Sequence, residues 1–273
     1  MKFEKIKTPF FFYLPYYLIS FLSLLGLKLF YSRAGADALT WILAPTAGWV
    51  SILSGIPFTY VAGQGYVNHS LRLLIAPSCC GVQFLCITAA MLIFSFLHRT
   101  GALRMRRSAG WILGCYAFSY FFTILVNGLR ILLAIYIPLA LSETGVSVRW
   151  LTPERLHTLI GTVVYFSCLL ILHRIAALVC LRTFNASFVR SCLSPVFWYF
   201  FIVLGIPFLN RAYADNRVRF GEYAVLVFTA CLALLFLYGS VHRLILFPQK
   251  IRRFFCSHGI IKSRYRSKKE FHQ

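Results

Sequence analysis

Negative charge is almost missing from this chain: seven Asp and Glu stand against 28 Lys and Arg, and charged residues make up only 13% of its 273 positions. Soluble domains carry about 25% charged residues and 45–50% apolar ones. Here 59% of residues are hydrophobic and 17% aromatic, which excludes a soluble domain and makes lipid the solvent for most of the chain. Other features are lacking too. There is no C-x-x-C framework among the nine cysteines, so neither a disulfide scaffold nor a zinc site is suggested. No H-E-x-x-H appears and no His/Asp/Glu cluster has metal spacing, so no metal site and no cofactor are expected. No G-x-S-x-G offers a serine nucleophile. Internal repeats and low-complexity tracts are absent. The net charge of +21 could mean nucleic acid. Its basic residues instead cluster in short segments between apolar runs, the pattern of membrane topology and of contact with anionic headgroups. Nucleic acid is not expected as a partner.

What is present is a series of apolar runs. Phe10 to Tyr31 is long enough to span, follows Lys2, Lys5 and Lys7, and precedes no clear cleavage site, so it reads as a retained anchor. Asp37 to Ser54 reads as a helix lying in the outer interface, with Pro45 at its centre. Gly55 to Ala76 is punctuated by Gly55, Pro57, Gly63 and Gly65 and reads as a hairpin-like excursion in water around a polar tip, Gln64 to Ser70. Gly81 to Leu97 is a compact span ending at Arg99, Arg104, Arg106 and Arg107. By the positive-inside rule that loop is cytoplasmic, so residue 79 lies outside. Trp111 to Val126 returns outward, Asn127-Gly128 reads as a kink, and Leu129 to Leu141 continues apolar. Leu156 to Leu172 crosses inward, and Val196 to Leu209 and Tyr223 to Tyr238 add two more spans before a basic tail. Most basic residues fall on the inner side, whereas of the acids only Glu4 and Glu270 do. The expectation is an all-α, polytopic membrane protein with about six transmembrane helices, an outer interfacial helix, a periplasmic hairpin-like excursion and both termini cytoplasmic.

Three short segments carry chemistry. Cys79 and Cys80 are adjacent, so on a helix they point about 100° apart, and a vicinal pair is too strained for an ordinary structural disulfide. Cys79 sits at a helix N-terminus, where backbone N–H groups and the dipole favour thiolate. Gly81 after it would let a substrate backbone approach. The alternative is a pair of buried packing thiols. Arg130 lies inside an apolar run, where a charge costs at least ~2.5–3.5 kcal/mol on insertion scales. Asn127 is three residues earlier on the same helical face. Arg130 is either a snorkelling side chain or a cation that activates a thiol and holds an oxyanion. His157 opens the next run, with Gly161 four residues on leaving room beside the ring; it is either an interfacial histidine or a proton shuttle. The topology drawn from the arginines puts all three at one leaflet.

These residues resemble the exosortase/archaeosortase family of membrane cysteine transpeptidases. Cys79-Cys80-Gly81 is similar to that family's Cys-small-Gly motif, with Cys80 departing from the usual Ser, Ala or Thr. Asn127-Gly-Leu-Arg130 and His157-Thr-Leu-Ile-Gly161 are similar to its Asn-x-x-Arg and His-x-x-x-Gly motifs, in the same order. The wording from Pro77 to Val82 is similar to the exosortase K branch. The resemblance covers about residues 10–182, within an expected membrane core over residues 1–182, with 183–273 left as two additional helices and a basic cytoplasmic tail. It implies a multi-pass enzyme of the bacterial inner membrane with its active site on the periplasmic face. Its partners would be exported proteins bearing a C-terminal sorting signal of motif, membrane helix and basic end. Cys79 would be the nucleophile, Arg130 the oxyanion and thiolate partner and His157 the proton shuttle, with Cys80, Gly81, Asn127 and Gly161 supporting. A rival of another class is a transporter or assembly scaffold, which predicts more polar residues in mid-span and paired half-helices.

Overall fold

In the computed structural model, residues 4–99, 105–143, 150–181, 188–211, 213–214 and 216–257 are described. The chain divides into two compact units, Met1–Cys231 and Leu232–Gln273. The first unit therefore extends well past the expected boundary at residue 182. Its helices are α1 (Glu4–Arg33), α2 (Thr40–Ser54), α3 (Val82–Phe96), α4 (Met105–Glu143), α5 (Pro153–Leu181), α6 (Phe188–Phe200), α7 (Ile206–Leu209) and the start of α8 (Arg217–Ser257). In the second unit the described residues are the remainder of α8. Six helical segments are long and apolar enough to cross a membrane: Tyr13–Arg33, Pro77–Phe96, Ser108–Glu143, Pro153–Cys180, Ser191–Leu209 and Arg217–Val241. Such a set describes a multi-pass membrane protein.

The central element is α3. Its side chains are buried almost throughout, from Val82 to Phe96, and it is flanked by α1, α4, α5 and α6. A helix apolar on every side belongs inside a bundle, and the surrounding helices show why: each turns one apolar face to α3 and leaves another exposed, as Leu18, Ile19 and Leu22 are on α1. Tyr17 of α1 stacks on Phe94 at 5.2 Å, and Phe84 of α3 stacks on Tyr165 of α5 at 4.5 Å.

Two expectations along this bundle change. Asn127-Gly128 does not interrupt α4, which runs unbroken through them. Gly128 instead admits a neighbour: a Cβ there would stand 2.4 Å from Trp49 Cδ1 on α2. The expected helix at 37–54 is a short 3-10 turn, Asp37–Leu39, followed by the 15 residues of α2. At 1.5 Å per residue α2 is about 22 Å long, short of the ~30 Å hydrocarbon core. Ile42, Leu43, Thr46, Ala47 and Val50 form its buried stripe. Pro45 has no N–H for the Trp41 carbonyl one turn back, and the Tyr120 hydroxyl of α4 donates to that oxygen at 2.7 Å instead.

The expected hairpin is a three-stranded antiparallel sheet in the order β1 (Thr59–Val61), β2 (Gly65–Asn68) and β3 (Leu73–Ile75). The central strand β2 lies within the segment expected to be a polar tip. Gly65 makes this possible: its φ is +119°, and a Cβ there would stand 2.5 Å from the Ile75 carbonyl oxygen of β3. Asn68 closes the far end, donating to the Pro57 carbonyl at 2.7 Å and accepting from Leu71 N–H at 2.8 Å. Asp37 ties the near turn, accepting from the Gly63 N–H at 2.9 Å and from the Tyr60 hydroxyl. β3 leads through Ala76 directly into Cys79.

Candidate active site

Cys79 ends a single 3-10 turn, Pro77–Cys79, that precedes α3. Its N–H donates to the Ala76 carbonyl at 2.8 Å, and the Cys80 N–H donates to the Pro77 carbonyl at 3.1 Å. The two thiols then separate. Cys80 is 0% exposed, packed into the bundle, whereas Cys79 is half-buried with its sulfur 4.0 Å from the Ser78 hydroxyl. Gly81 is the N-cap of α3 in the left-handed region, φ +79°. Its lack of a side chain admits a neighbouring helix. A Cβ there would lie 2.9 Å from Thr123 Cγ2 and 3.0 Å from Asn127 Cγ of α4.

That close passage brings Asn127 to the Cys79 turn. The residue is 0% exposed, and its Nδ2 donates to the Cys79 carbonyl at 2.6 Å. Its Oδ1 accepts from the Tyr165 hydroxyl at 2.6 Å and, at 3.5 Å, from Nη1 of Arg130 one turn further along α4. Arg130 is only 8% exposed, so it is no snorkelling side chain with its head in water. Its Nη2 lies 3.3 Å from Nδ1 and 3.2 Å from Nε2 of His157. Its Cζ stands 5.4 Å from the centre of the Tyr165 ring, within cation–π range.

Gly161 serves a different neighbour from the one expected. A Cβ at 161 would stand 3.0 Å from Arg130 Nε, so the glycine leaves room for the guanidinium rather than for the His157 ring. Arg130 Nε, facing it, has no hydrogen-bond partner among the described residues. His157 itself stays on the exposed rim at the start of α5.

Arg130, His157, Gly161 and Tyr165 border a cavity of about 150 Å³, together with Ser78, Gly81 and Gln83. Tyr199, Val203 and Tyr223 also line it, so the chain beyond residue 182 contributes to the cavity. Gln83 is held there by donating to the Ile202 carbonyl at 3.3 Å, within the π-helical turn Phe201–Gly205. Beside the cavity, Arg155 at the start of α5 pairs with Glu222 of α8 at 2.8 Å.

All seven sequence-predicted residues, Cys79, Cys80, Gly81, Asn127, Arg130, His157 and Gly161, thus meet at one end of the bundle. Tyr165 was missed, although the stripe His157, Gly161, Tyr165 at successive four-residue steps marks one face of a helix. Among the described residues no three His, Cys, Asp or Glu side chains gather as a metal site. No family model, curated protein or solved structure matches this chain.

Proposed function

We propose that the protein is a membrane-embedded cysteine transpeptidase or protease that cleaves the C-terminal sorting signal of exported proteins. The observation that carries this reading is the Asn127 amide. It joins the backbone of a half-buried cysteine to a buried arginine, which in turn touches a histidine at the rim. A buried charge held against an imidazole is costly to place in a bundle, and the thiol, guanidinium and imidazole have complementary uses.

In the resting site Arg130 Nη2 donates to a neutral His157 nitrogen. Arg130 releases that nitrogen, the imidazole takes the proton of the Cys79 thiol there, and the thiolate attacks the scissile carbonyl carbon. Arg130 turns its fork to the oxyanion that forms. As the tetrahedral adduct collapses, the C–N bond breaks and His157 returns its proton to the leaving amine. A thioester remains on Cys79. An amine or water then attacks the thioester, giving its proton to His157, and the C–S bond breaks to release Cys79. An amine acceptor makes the reaction a transfer, and water makes it proteolysis. The small volume and the exposed rim suit an extended segment lying just outside a substrate's membrane helix. The arginine-rich segment Arg99 to Arg107 and the basic tail belong on the cytoplasmic side. The site and the sheet then face the periplasm of a bacterial inner membrane, and α2 lies along the outer interface.

The test is Arg130→Lys, with processing followed on a co-expressed exported protein that ends in a short motif, an apolar helix and a basic tail. Lysine lacks the planar fork of donors. Turnover should fall on the order of 10²–10³-fold while the enzyme's membrane abundance holds. Near-normal processing with lysine would return Arg130 to a structural role.

A further inference from the structure

We infer that Tyr165 is a positioning residue whose hydroxyl anchors the Asn127 amide and thereby holds the Cys79 turn and the Arg130 guanidinium in register; as a statement about catalysis, this rests on the reading of the site proposed above. The ring of Tyr165 is placed independently of its hydroxyl. It stacks on the buried Phe84 ring with centres 4.5 Å apart and planes 11° apart, and Phe84 belongs to the first turn of α3. The hydroxyl is then delivered to Asn127 Oδ1 at 2.6 Å.

The consequence is chemical. An amide oxygen only accepts, and an amide nitrogen only donates. With Tyr165 and Arg130 both donating to Oδ1, Nδ2 must face the Cys79 carbonyl. A flipped amide would set its NH₂ against the guanidinium and its oxygen against the Cys79 carbonyl, a donor facing donors and an acceptor facing an acceptor. The Cys79 carbonyl, an acceptor only, and Arg130, a donor only, choose this orientation. The Tyr165 hydroxyl, which can donate or accept, does not choose it but anchors the amide in place by its short bond. It touches neither the sulfur nor the His157 ring among the contacts described, so its hold on the Cys79 turn passes through Asn127.

Tyr165→Phe keeps the stack on Phe84 and removes only the hydroxyl. The test reads the modified fraction of Cys79 after brief treatment of membranes with iodoacetamide at one fixed pH. Mass spectrometry resolves Cys79 from Cys80, and the fraction is independent of how much protein inserts. Loss of one typical hydrogen bond corresponds to about a fivefold change, so Cys79 alkylation should slow about fivefold in Tyr165→Phe. Processing of the exported probe protein should fall in step. Asn127→Ala should slow alkylation at least as much, and adding Tyr165→Phe to it should slow it no further. Wild-type alkylation in Tyr165→Phe, or effects of the two substitutions that multiply, would overturn the inference. If the wild-type chain never processes the probe while Tyr165→Phe still slows alkylation through Asn127, the positioning role stands and the protease reading falls.

Discussion

The cluster around Asn127 and the cluster around Asp37 are made of similar bonds in opposite surroundings. Each has one short side chain that gathers a tyrosine hydroxyl and a backbone group: Tyr165 and the Cys79 carbonyl for Asn127, Tyr60 and the Gly63 N–H for Asp37. Asn127 does so with no exposure, next to a buried guanidinium, where a group left without its partner costs about 1–3 kcal/mol. Asp37 does so in the open, where water replaces any bond that is lost. The first cluster therefore resists rearrangement, and the second merely tethers the sheet to the turn before α2. The difference marks which of the two can hold a reacting geometry.

The strongest way to break the buried cluster is at Gly81. Alanine there would sit in a left-handed conformation that costs about 1–2 kcal/mol and push on Thr123 and Asn127, with overpacking adding about 1–3 kcal/mol. Gly81→Ala should lower the thermal midpoint of the detergent-solubilised protein and abolish processing together. An unchanged midpoint would mean that α3 and α4 do not pass as closely as described.

Gly161→Ala separates stability from chemistry. Gly161 is inside α5, where alanine favours the helix by up to about 1 kcal/mol. Its methyl group would meet Arg130 Nε at 3.0 Å and displace the guanidinium by a few tenths of an ångström. Misplacement of about 1 Å can cost 10²-fold in rate, so this smaller shift should lower turnover on the order of tenfold. The thermal midpoint should hold or rise. Equal loss of both would show that Gly161 serves packing alone.

The smallest effect belongs to Asp37. The Gly63 N–H, and after it the Tyr60 hydroxyl, hold its carboxyl below the usual carboxylate range. A depressed carboxylate stabilises the fold above its unfolded value of about 3.9, and that contribution is lost as pH falls through the folded value. Hydrogen exchange at Ala62 to Gln64 should therefore be steady near neutral pH. It should quicken, after correction for intrinsic rates, only below about pH 4. Asp37→Asn should produce the quickened exchange at neutral pH and leave processing unchanged. Loss of processing in that variant would tie the sheet to the chemistry and erase the contrast between the clusters.

The same contrast explains what could be read without coordinates. An arginine inside an apolar run is costly enough to stand out in sequence, as are adjacent cysteines before such a run and a histidine opening another. Asn127 was visible because a three-residue step places it beside Arg130. The partners of the glycines were not visible, because Gly81, Gly128 and Gly161 each make room for a side chain on another helix. Spacing within one segment carries no information on which helix passes close. Tyr165 was lost among the 15 tyrosines of an aromatic-rich chain. Strand β2 was hidden because its pairing rests on Gly65 and on two neighbours too short to show a period. Helix count and run lengths were legible because lipid demands long apolar segments. The contribution of Tyr199, Val203 and Tyr223 to the cavity depends on how α6, α7 and α8 pack, which sequence motifs do not encode.

The central claim is that Cys79, and not its neighbour, is the attacking thiol. The direct test expresses Cys79→Ala and Cys80→Ala separately beside the exported probe protein, and measures cleaved and full-length probe together with the membrane abundance of each variant. With abundance held, Cys79→Ala should leave all of the probe full-length. Cys80→Ala should keep most of the cleavage, losing only what a cavity left by one buried sulfur takes from stability. Cleavage that survives Cys79→Ala would contradict the account.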